Sequence, residues 1–191
     1  MSAKIVVLAS GQGTLAQAIF DAVNDRELDA QILEVISDRS SAQVIQRAKD
    51  SGLLCYVHPM QKDRLKWDAQ LIEHMDRLQP DLVVSAGFMR ILSPYFVSRF
   101  KIINTHPALL PTFPGAHPVR DAIAAGVLVT GATVHWVDAG VDTGEVIAQV
   151  PVEVLPSDDE ATLHERIKIA ERGLIVATLK ELLPTLESNR A

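Results

Sequence analysis

Short runs of β-branched residues alternate with longer segments of helical periodicity through the first half of the chain. This alternation is typical of a parallel sheet covered by helices. The runs at 4–9, 32–36, 54–57, 82–85 and 101–104 predict five buried strands. Helices are predicted after the glycine loop at 10–13, over 41–50 and 63–78, and from Ser93-Pro94 onward. Because a helix separates most of these strands, they are expected to run in the same direction.

The second half of the chain has a different pattern. Four of the ten prolines fall between positions 107 and 118, which predicts a stiff loop without regular structure. A short helix at 119–125 precedes two alternating runs at 131–137 and 146–154, which predict paired strands around a glycine-rich turn. Ser157 and Glu160 have capping-box spacing, and the helix that follows is expected to end near Leu183. The apolar face of that helix is expected to carry Leu163, Ile167, Ala170, Leu174 and Leu182.

The expected fold class is therefore α/β. We expect a Rossmann-like, mostly parallel sheet with helices on both faces, C-terminal antiparallel strands and a closing helix. At about 150 residues per domain, 191 residues predict a single domain, which the last parallel strand divides into halves at 1–104 and 105–191. A hydrophobic content of 48% is ordinary for a chain that forms its core without disulfides.

Charge and cysteine content narrow the class of partner. The formal charge of −6 disfavours nonspecific attraction to nucleic acid or to an anionic membrane. The longest uncharged run, 122–137, is shorter than the roughly 20 residues that a membrane-spanning helix needs. The single cysteine, Cys55, excludes an intramolecular disulfide, and no Cys/His spacing resembles a zinc site. These features predict a cytoplasmic protein that acts on small molecules without a metal.

A glycine-containing loop follows the first predicted strand. Its residues, Ser-Gly-Gln-Gly-Thr-Leu-Ala at 10–16, permit a tight turn whose backbone N–H groups can hold a phosphate at a helix start. The spacing also fits the permissive dinucleotide pattern, with Ala16 at its third position and Asp38 at the end of the second strand. NAD binding therefore stays an alternative, and so does a glycine turn with no ligand.

A second cluster of polar residues lies at the end of the last predicted parallel strand, where open α/β sheets bind their ligands. Asn104 and His106 alternate in extended chain and can reach one small group, and Pro107 stiffens that arrangement. An amide donor beside a histidine can stabilise an oxyanion and pass a proton. Asp142, in a glycine-flanked turn, could orient the imidazole. The alternatives are a structural histidine and an ordinary turn aspartate.

A third segment, Gly87-Phe-Met-Arg-Ile-Leu-Ser-Pro94, mixes apolar side chains with one cation after a buried strand. Such a wall could take a flat heteroaromatic ligand while backbone groups bond its edge. The alternative is core packing with a solvated Arg90. No serine or cysteine lies within 104–107 to act as a nucleophile, which favours attack by the substrate itself.

Taken in order, these motifs closely resemble those of the 10-formyltetrahydrofolate-dependent formyltransferases. The matching segments are the N-terminal Ser-Gly-x-Gly, 87–94, Asn-Thr-His-Pro-Ala-Leu-Leu-Pro at 104–111, and Val-Asp-Thr-Gly at 141–144. The resemblance covers nearly the whole chain. It implies formyl transfer from 10-formyltetrahydrofolate to the amine of 5-phosphoribosylglycinamide in purine synthesis, by a monomer or homodimer with no metal. It also implies a cis bond between Leu110 and Pro111.

The resemblance also assigns site residues. The implied catalytic residues are Asn104, His106 and Asp142. The implied phosphoribosylglycinamide site contains Gly13, Thr14, Leu15, Lys168, Ile169, Ala170 and Glu171. The implied folate site contains Arg64, Met89, Arg90, Ile91, Leu92, Asn104, Asp138, Ala139, Gly140, Val141 and Asp142. Half 1–104 is thus expected to bind the phosphoribosyl end, and half 105–191 to supply folate-site and closing elements. Many members carry Asn where this chain has Leu15, so one side-chain contact to phosphate is missing here.

Several related and unrelated activities are alternatives. Methionyl-tRNA and sugar formyltransferases resemble this catalytic core but append a further domain, for which 191 residues are expected to leave no room. A formyltetrahydrofolate hydrolase resembles it too, with an additional N-terminal regulatory domain. A nicotinamide-dependent oxidoreductase would use the glycine loop and Asp38 but leaves 104–111 unexplained. A non-catalytic folate or nucleotide sensor would not need Asn104, His106 and Asp142.

Overall fold

The computed structural model describes residues 2–188. Its strands are β1 (Ala3–Leu8), β2 (Ala30–Ser37), β3 (Cys55–Val57), β4 (Leu82–Ser85), β5 (Ile102–His106), β6 (Val129–Trp136) and β7 (Val146–Glu153). Its helices are α1 (Thr14–Asn24), α2 (Gln43–Asp50), α3 (Arg64–Leu78), α4 (Pro94–Arg99), α5 (Pro118–Ala124) and α6 (Glu160–Ser188). No helix in this range is long and apolar enough to cross a membrane.

All seven strands form one sheet in the order β3-β2-β1-β4-β5-β6-β7. The pairs from β3 to β5 are parallel, whereas β5 with β6 and β6 with β7 are antiparallel. The predicted fold class is confirmed. The prediction for β5 was short by two residues, because His106 also pairs with β6 and continues the strand.

Both faces of the sheet are covered by helices. Along β1, Ile5 and Val7 belong to a core cluster with residues of α1, α2 and α6. Val6 and Leu8 point to the other face and join a cluster with α3 and α4. A strand segment buried on both sides must be apolar at every position, which explains the aliphatic run from Ile5 to Leu8.

Two helix starts follow from their capping residues. The Asp63 carboxylate accepts a hydrogen bond from the Lys66 N–H at the start of α3. The Ser93 hydroxyl accepts one from the Phe96 N–H at the start of α4, where Pro94 occupies the first turn. Each cap satisfies an N–H group that has no partner inside the helix. Both predicted helix starts are confirmed.

The closing helix differs from its prediction. Its capping box joins Asp159 and Thr162, which exchange hydrogen bonds of 2.8 and 3.0 Å, rather than Ser157 and Glu160. It also passes through Pro184 and continues to Ser188. Proline costs one backbone hydrogen bond, but Leu186 beyond it is buried in the core and offsets that loss.

The buried face of α6 is also displaced from the predicted one. Leu163 and Ile167 are buried as expected, whereas Ala170, Leu174 and Leu182 are only half-buried. The buried series at four-residue spacing is Leu163, Ile167, Glu171, Ile175, Leu179 and Leu183. A carboxylate therefore occupies a position in a row of core aliphatic side chains.

Candidate active site

A cavity of about 420 Å³ opens at the carboxyl ends of β4 and β5. One wall is the segment 87–92 that follows β4, and the opposite wall is the turn around 138–142 between β6 and β7. The floor contains Asn104 and His106 from β5 and His135 from β6. The cavity lies where the parallel part of the sheet meets its antiparallel part.

The register between β5 and β6 fixes the polar groups on the floor. Asn104 lies opposite His135, and His106 lies opposite Thr133. The Asn104 amide nitrogen is 3.2 Å from Nε2 of His135, whose Nδ1 is 2.8 Å from the Trp136 carbonyl oxygen. Nδ1 therefore carries a proton, and in the neutral ring Nε2 accepts one N–H of Asn104. The second Nδ2–H of Asn104 stays available to a ligand.

The structure places Asp142 beside His106. The distance from Asp142 Oδ2 to His106 Nδ1 is 3.4 Å, and His106 Nε2 lies 2.8 Å from the Phe113 carbonyl oxygen. Both ring nitrogens thus face oxygen acceptors, and an imidazolium, with two N–H donors, satisfies both. Asp142 Oδ1 is also 3.6 Å from His135 Nε2. The carboxylate therefore lies between two histidines.

Asp142 is held in place by the turn that carries it. Its φ is 54°, in the left-handed region, and Oδ2 accepts a 2.8 Å hydrogen bond from the Gly115 N–H. Burial raises the Asp142 pKa, but the His135 side chain, the Gly115 N–H and the charge of His106 together bring it below its ordinary value. The carboxylate is thereby kept ionised beside both imidazoles.

The turn itself is built around Asp138. Its carboxylate accepts hydrogen bonds from the Thr143 hydroxyl at 2.7 Å and from the Gly140 N–H at 2.9 Å. The Thr143 bond is the main reason that the Asp138 pKa is lowered. A Cβ at Gly144 would lie 1.7 Å from the Trp136 carbonyl oxygen, so only glycine fits where the turn passes β6.

The Thr133 hydroxyl on β6 holds the start of the proline-rich loop that follows β5. Thr133 Oγ1 donates to the Ala108 carbonyl oxygen, and it accepts from the Leu110 N–H at 3.0 Å and from Gln149 Nε2 at 2.9 Å. Gln149 also bonds the Leu110 carbonyl oxygen. The bond between Leu110 and Pro111 is cis, as the resemblance implied.

The 87–92 wall exposes apolar side chains to the cavity. Met89 and Ile91 are each 68% exposed, and Val141 on the opposite wall is 49% exposed. Exposed apolar side chains gathered on both walls of one cavity are typical of a ligand site. Arg64 does not line this cavity. Its guanidinium donates to the Ile91 carbonyl oxygen and lies over the Trp67 ring, on the outer side of the wall.

The glycine loop presents unused backbone donors. Gly13 has a φ of 73°, and a Cβ there would be 2.5 Å from the Val44 side chain. In the described part of the chain, the N–H groups of residues 14–16 at the start of α1 have no hydrogen-bond acceptor. Arg47 approaches the same loop and donates from Nε to the Gln12 carbonyl oxygen at 2.8 Å. The half-buried Leu15 side chain packs on the core.

The other predicted substrate residues lie on α6. Thr14 lines a groove of about 870 Å³ between α1 and α6, together with Arg172 and Gly173. Residues 168–171 precede these two in the chain but do not line the groove, and Lys168 pairs with Glu165 at 2.7 Å. The structure therefore places the glycine loop beside the following turn of α6 rather than in the cavity that holds Asn104 and His106.

Glu171 stands out electrostatically. It is 8% exposed, and within residues 2–188 its carboxyl group forms no hydrogen bond. Burial raises its pKa to about 7, although the charges of Lys168 and Arg172 act in the opposite direction. The carboxyl group thus exchanges its proton near neutral pH.

Two residue groups bear on the alternatives from sequence. Asp38, which a dinucleotide would need for its ribose, has a fully buried side chain that Arg90 contacts at 2.6 Å. Within residues 2–188, no group of three or more His, Cys, Asp or Glu side chains is arranged to hold a metal ion.

His135, which lines the cavity, was not among the site residues predicted from the sequence. Its only signal was a histidine inside an otherwise apolar alternating run.

The sequence pattern of the family described as formyl transferase matches residues 3–179. This chain belongs to the formyl transferase family. The resemblance inferred from the motifs is thereby confirmed, and all the predicted site residues fall inside the matched range. A phosphoribosylglycinamide formyltransferase from Mycobacterium tuberculosis is 51% identical to this formyl transferase over 186 residues, which cover 94% of this chain and 85% of the relative.

Other relatives agree. A phosphoribosylglycinamide formyltransferase from Escherichia coli is 38% identical over 174 residues, which cover 89% of this formyl transferase and 82% of the relative. The solved structure of a glycinamide ribonucleotide transformylase from Geobacillus kaustophilus has a TM-score of 0.92 at 37% identity. That comparison covers 96% of this chain and all of the solved one. The sheet and its covering helices are therefore those of the family.

Proposed function

We propose that this formyl transferase moves the formyl group of 10-formyltetrahydrofolate to the amine of 5-phosphoribosylglycinamide. The products are N-formylglycinamide ribonucleotide and tetrahydrofolate, in de novo purine synthesis in the cytoplasm. The observation that carries the proposal is the convergence of Asn104, His106 and Asp142 on one cavity with apolar walls. The relatives' names support the choice of acceptor.

The residues of the cavity floor supply the groups that direct transfer needs. When the amine attacks the formyl carbon, negative charge develops on the formyl oxygen. The free Nδ2–H of Asn104 is suited to donate to that oxygen. A protonated His106 adds its positive charge, and its Nε2–H becomes a donor to substrate when it leaves the Phe113 carbonyl oxygen. Asp142 orients His106 and balances its charge. The proton lost by the amine then reaches N10 through His106 or water as the bond from N10 to the formyl carbon breaks.

The walls suit the folate. Flat rings can lie between the exposed apolar side chains of 87–92 and the 138–142 turn, while backbone groups of the wall bond their edge. We assign Arg64 to this site only through its contact with the Ile91 carbonyl oxygen. The division into halves at 1–104 and 105–191 remains part of the proposal. The cavity takes residues from both halves, with 87–92 and Asn104 from the first and His106 and 138–142 from the second.

The phosphoribosyl end is assigned to the glycine loop. The unused N–H groups of residues 14–16 can bind phosphate at the positive end of α1, without the side chain that Asn would supply in place of Leu15. Lys168 to Glu171 do not line the groove but directly precede Arg172 and Gly173, which do, and they are assigned to this site through the family resemblance. Glu171, with a pKa of about 7, is suited to accept the proton that the ammonium group must lose before it can attack.

The proposal is tested by measuring tetrahydrofolate release from 10-formyltetrahydrofolate with and without 5-phosphoribosylglycinamide. Release that depends on the acceptor, with formylated product formed in equal amount, is expected. Release without the acceptor would identify a hydrolase. Folate binding without turnover would indicate a sensor, and NAD binding without formyl transfer would favour the glycine-loop alternative.

A further inference from the structure

The 87–92 segment forms one wall of the cavity, yet it belongs to no helix or strand. Its position depends on contacts at three successive residues. The Met89 N–H donates to Ser10 Oγ at 2.8 Å, the Arg90 Nε donates to Asp38 Oδ2 at 2.6 Å, and the Ile91 carbonyl oxygen accepts from Arg64. Of these partners, Asp38 has a carboxylate with no exposed surface.

Asp38 directly follows β2, and its burial makes the contact with Arg90 strong. Arg39 is the other cation near the carboxylate, but it lies at 3.9 Å and is 55% exposed, so water screens it. Oδ1 of Asp38 has no hydrogen-bond partner within residues 2–188. A buried carboxylate is costly unless it is paired, so Arg90 supplies most of its compensation.

This pair restrains the cavity wall. Arg90 is 30% exposed and lines the cavity, while its Nε is fixed to a group at the end of a central strand. Its side chain cannot move away without leaving a buried charge unpaired. The backbone on both sides, which carries the exposed Met89 and Ile91, is restrained with it.

We infer that Asp38 is a positioning residue for folate binding, which it serves by fixing Arg90 and with it the 87–92 wall. The inference rests on the proposed function for the identity of the ligand. It assigns a role to the residue that the dinucleotide pattern would have used for a ribose. The Asp38 carboxylate does not line the cavity, and it acts on the ligand site only through Arg90.

The test uses the full chain with Asp38→Asn, which keeps the size of the side chain and removes its charge. The KM for 10-formyltetrahydrofolate is expected to rise about tenfold to a hundredfold, the loss that one charge-assisted hydrogen bond represents. The KM for 5-phosphoribosylglycinamide and kcat are expected to change less than about threefold, because within residues 2–188 neither the glycine loop nor Asn104 forms a hydrogen bond with Asp38. A purely structural role predicts lower thermal stability with both KM values unchanged.

The matched control is Asp76→Asn. Asp76 pairs with Arg99 at 2.6 and 2.9 Å, but the Asp76 side chain is 36% exposed, unlike that of Asp38, and neither residue lines the cavity. Both KM values should match those of the wild type. If Asp38→Asn does not fold, Arg90→Lys replaces it. A lysine keeps a positive charge near the buried carboxylate but lacks the Nε–H that holds Arg90 to Asp38. A wild-type folate KM in the folded variant would overturn the inference.

Calorimetric titration with 10-formyl-5,8-dideazafolate separates this inference from the proposed function. Binding by the wild type without acceptor-dependent turnover would refute the function, and the ratio of dissociation constants for the variants would still decide the role of Asp38. If the wild type does not bind the analogue, both are refuted. A rise in the dissociation constant for Asp38→Asn alone, with Asp76→Asn unchanged, supports the inference.

Discussion

Replacing Glu171 by glutamine should make the protein more stable near neutral pH. Glu171 lies between Ile167 and Ile175 in the buried row of α6, and burial raises its pKa from 4.5 to about 7. Below the unfolded pKa of 4.5, the carboxyl group is protonated in both states and stability is unaffected. Between 4.5 and 7, the unfolded chain loses the proton and the folded chain keeps it, so stability falls as pH rises.

The size of the effect follows from the pKa difference. A rise of about 2.5 units corresponds to about 3 kcal/mol of lost stability once the pH is above 7. Part of this loss is already present at about pH 5, so the change between about pH 5 and about pH 8 is about 2.5 kcal/mol. Glutamine has a similar shape and no charge, and it should abolish this pH-dependent term.

The assay is urea unfolding of the wild type and Glu171→Gln at about pH 5 and about pH 8, without ligands. The gain in unfolding free energy from the substitution should be about 2.5 kcal/mol larger at the higher pH. Glu165→Gln is the control in the same helix, since Glu165 is exposed and its pKa is lowered by Lys168. An equal effect of Glu171→Gln at both pH values would refute the argument from burial.

Three further substitutions test the site and the core. His106→Ala and Asp142→Asn should each lower kcat by about 100 to 1,000-fold with an unchanged circular dichroism spectrum, since each removes support for the developing oxyanion, and wild-type kcat in either would contradict the mechanism. Gly13→Ala places a Cβ 2.5 Å from the Val44 side chain, and it should destabilise the fold by about 1–3 kcal/mol in urea unfolding and raise the acceptor KM; an unchanged acceptor KM would argue against phosphate binding there. Trp67→Ala removes a fully buried ring and should cost about 3–5 kcal/mol in unfolding free energy, and a loss below about 1 kcal/mol would mean that the α3 face of the core is less tightly packed than described.

Local signals accounted for most of the fold. The alternation of apolar runs and helical segments predicted that β1 to β5 follow one another along the chain with helices between most of them. Asp63 and Ser93 marked two helix starts that the structure confirms. The helix end at Leu183 was wrong, because a local rule about Pro184 could not include the burial of Leu186 against distant strands. The capping box was placed two residues early, because more than one polar residue precedes α6.

The candidate site was predictable only in part. Asn104 and His106 were found because alternation along one strand places them on the same side. His135 was missed because its approach to Asn104 depends on the register between β5 and β6, which local periodicity does not determine. Asp38 was considered only within the dinucleotide alternative, since nothing in the sequence near it indicates that Arg90, 52 residues away, pairs with it.

The contact between the first and last helices has a consequence for biosynthesis. Ile175, Leu179, Leu183 and Leu186 of α6 pack in the same cluster as Ala3 and Ile19, which are translated well before them. Until α6 has left the ribosome, the sheet face that it shares with α1 and α2 lacks part of its cover. In that interval the growing chain exposes apolar surface that other chains could contact, which is the hazard that chaperones limit.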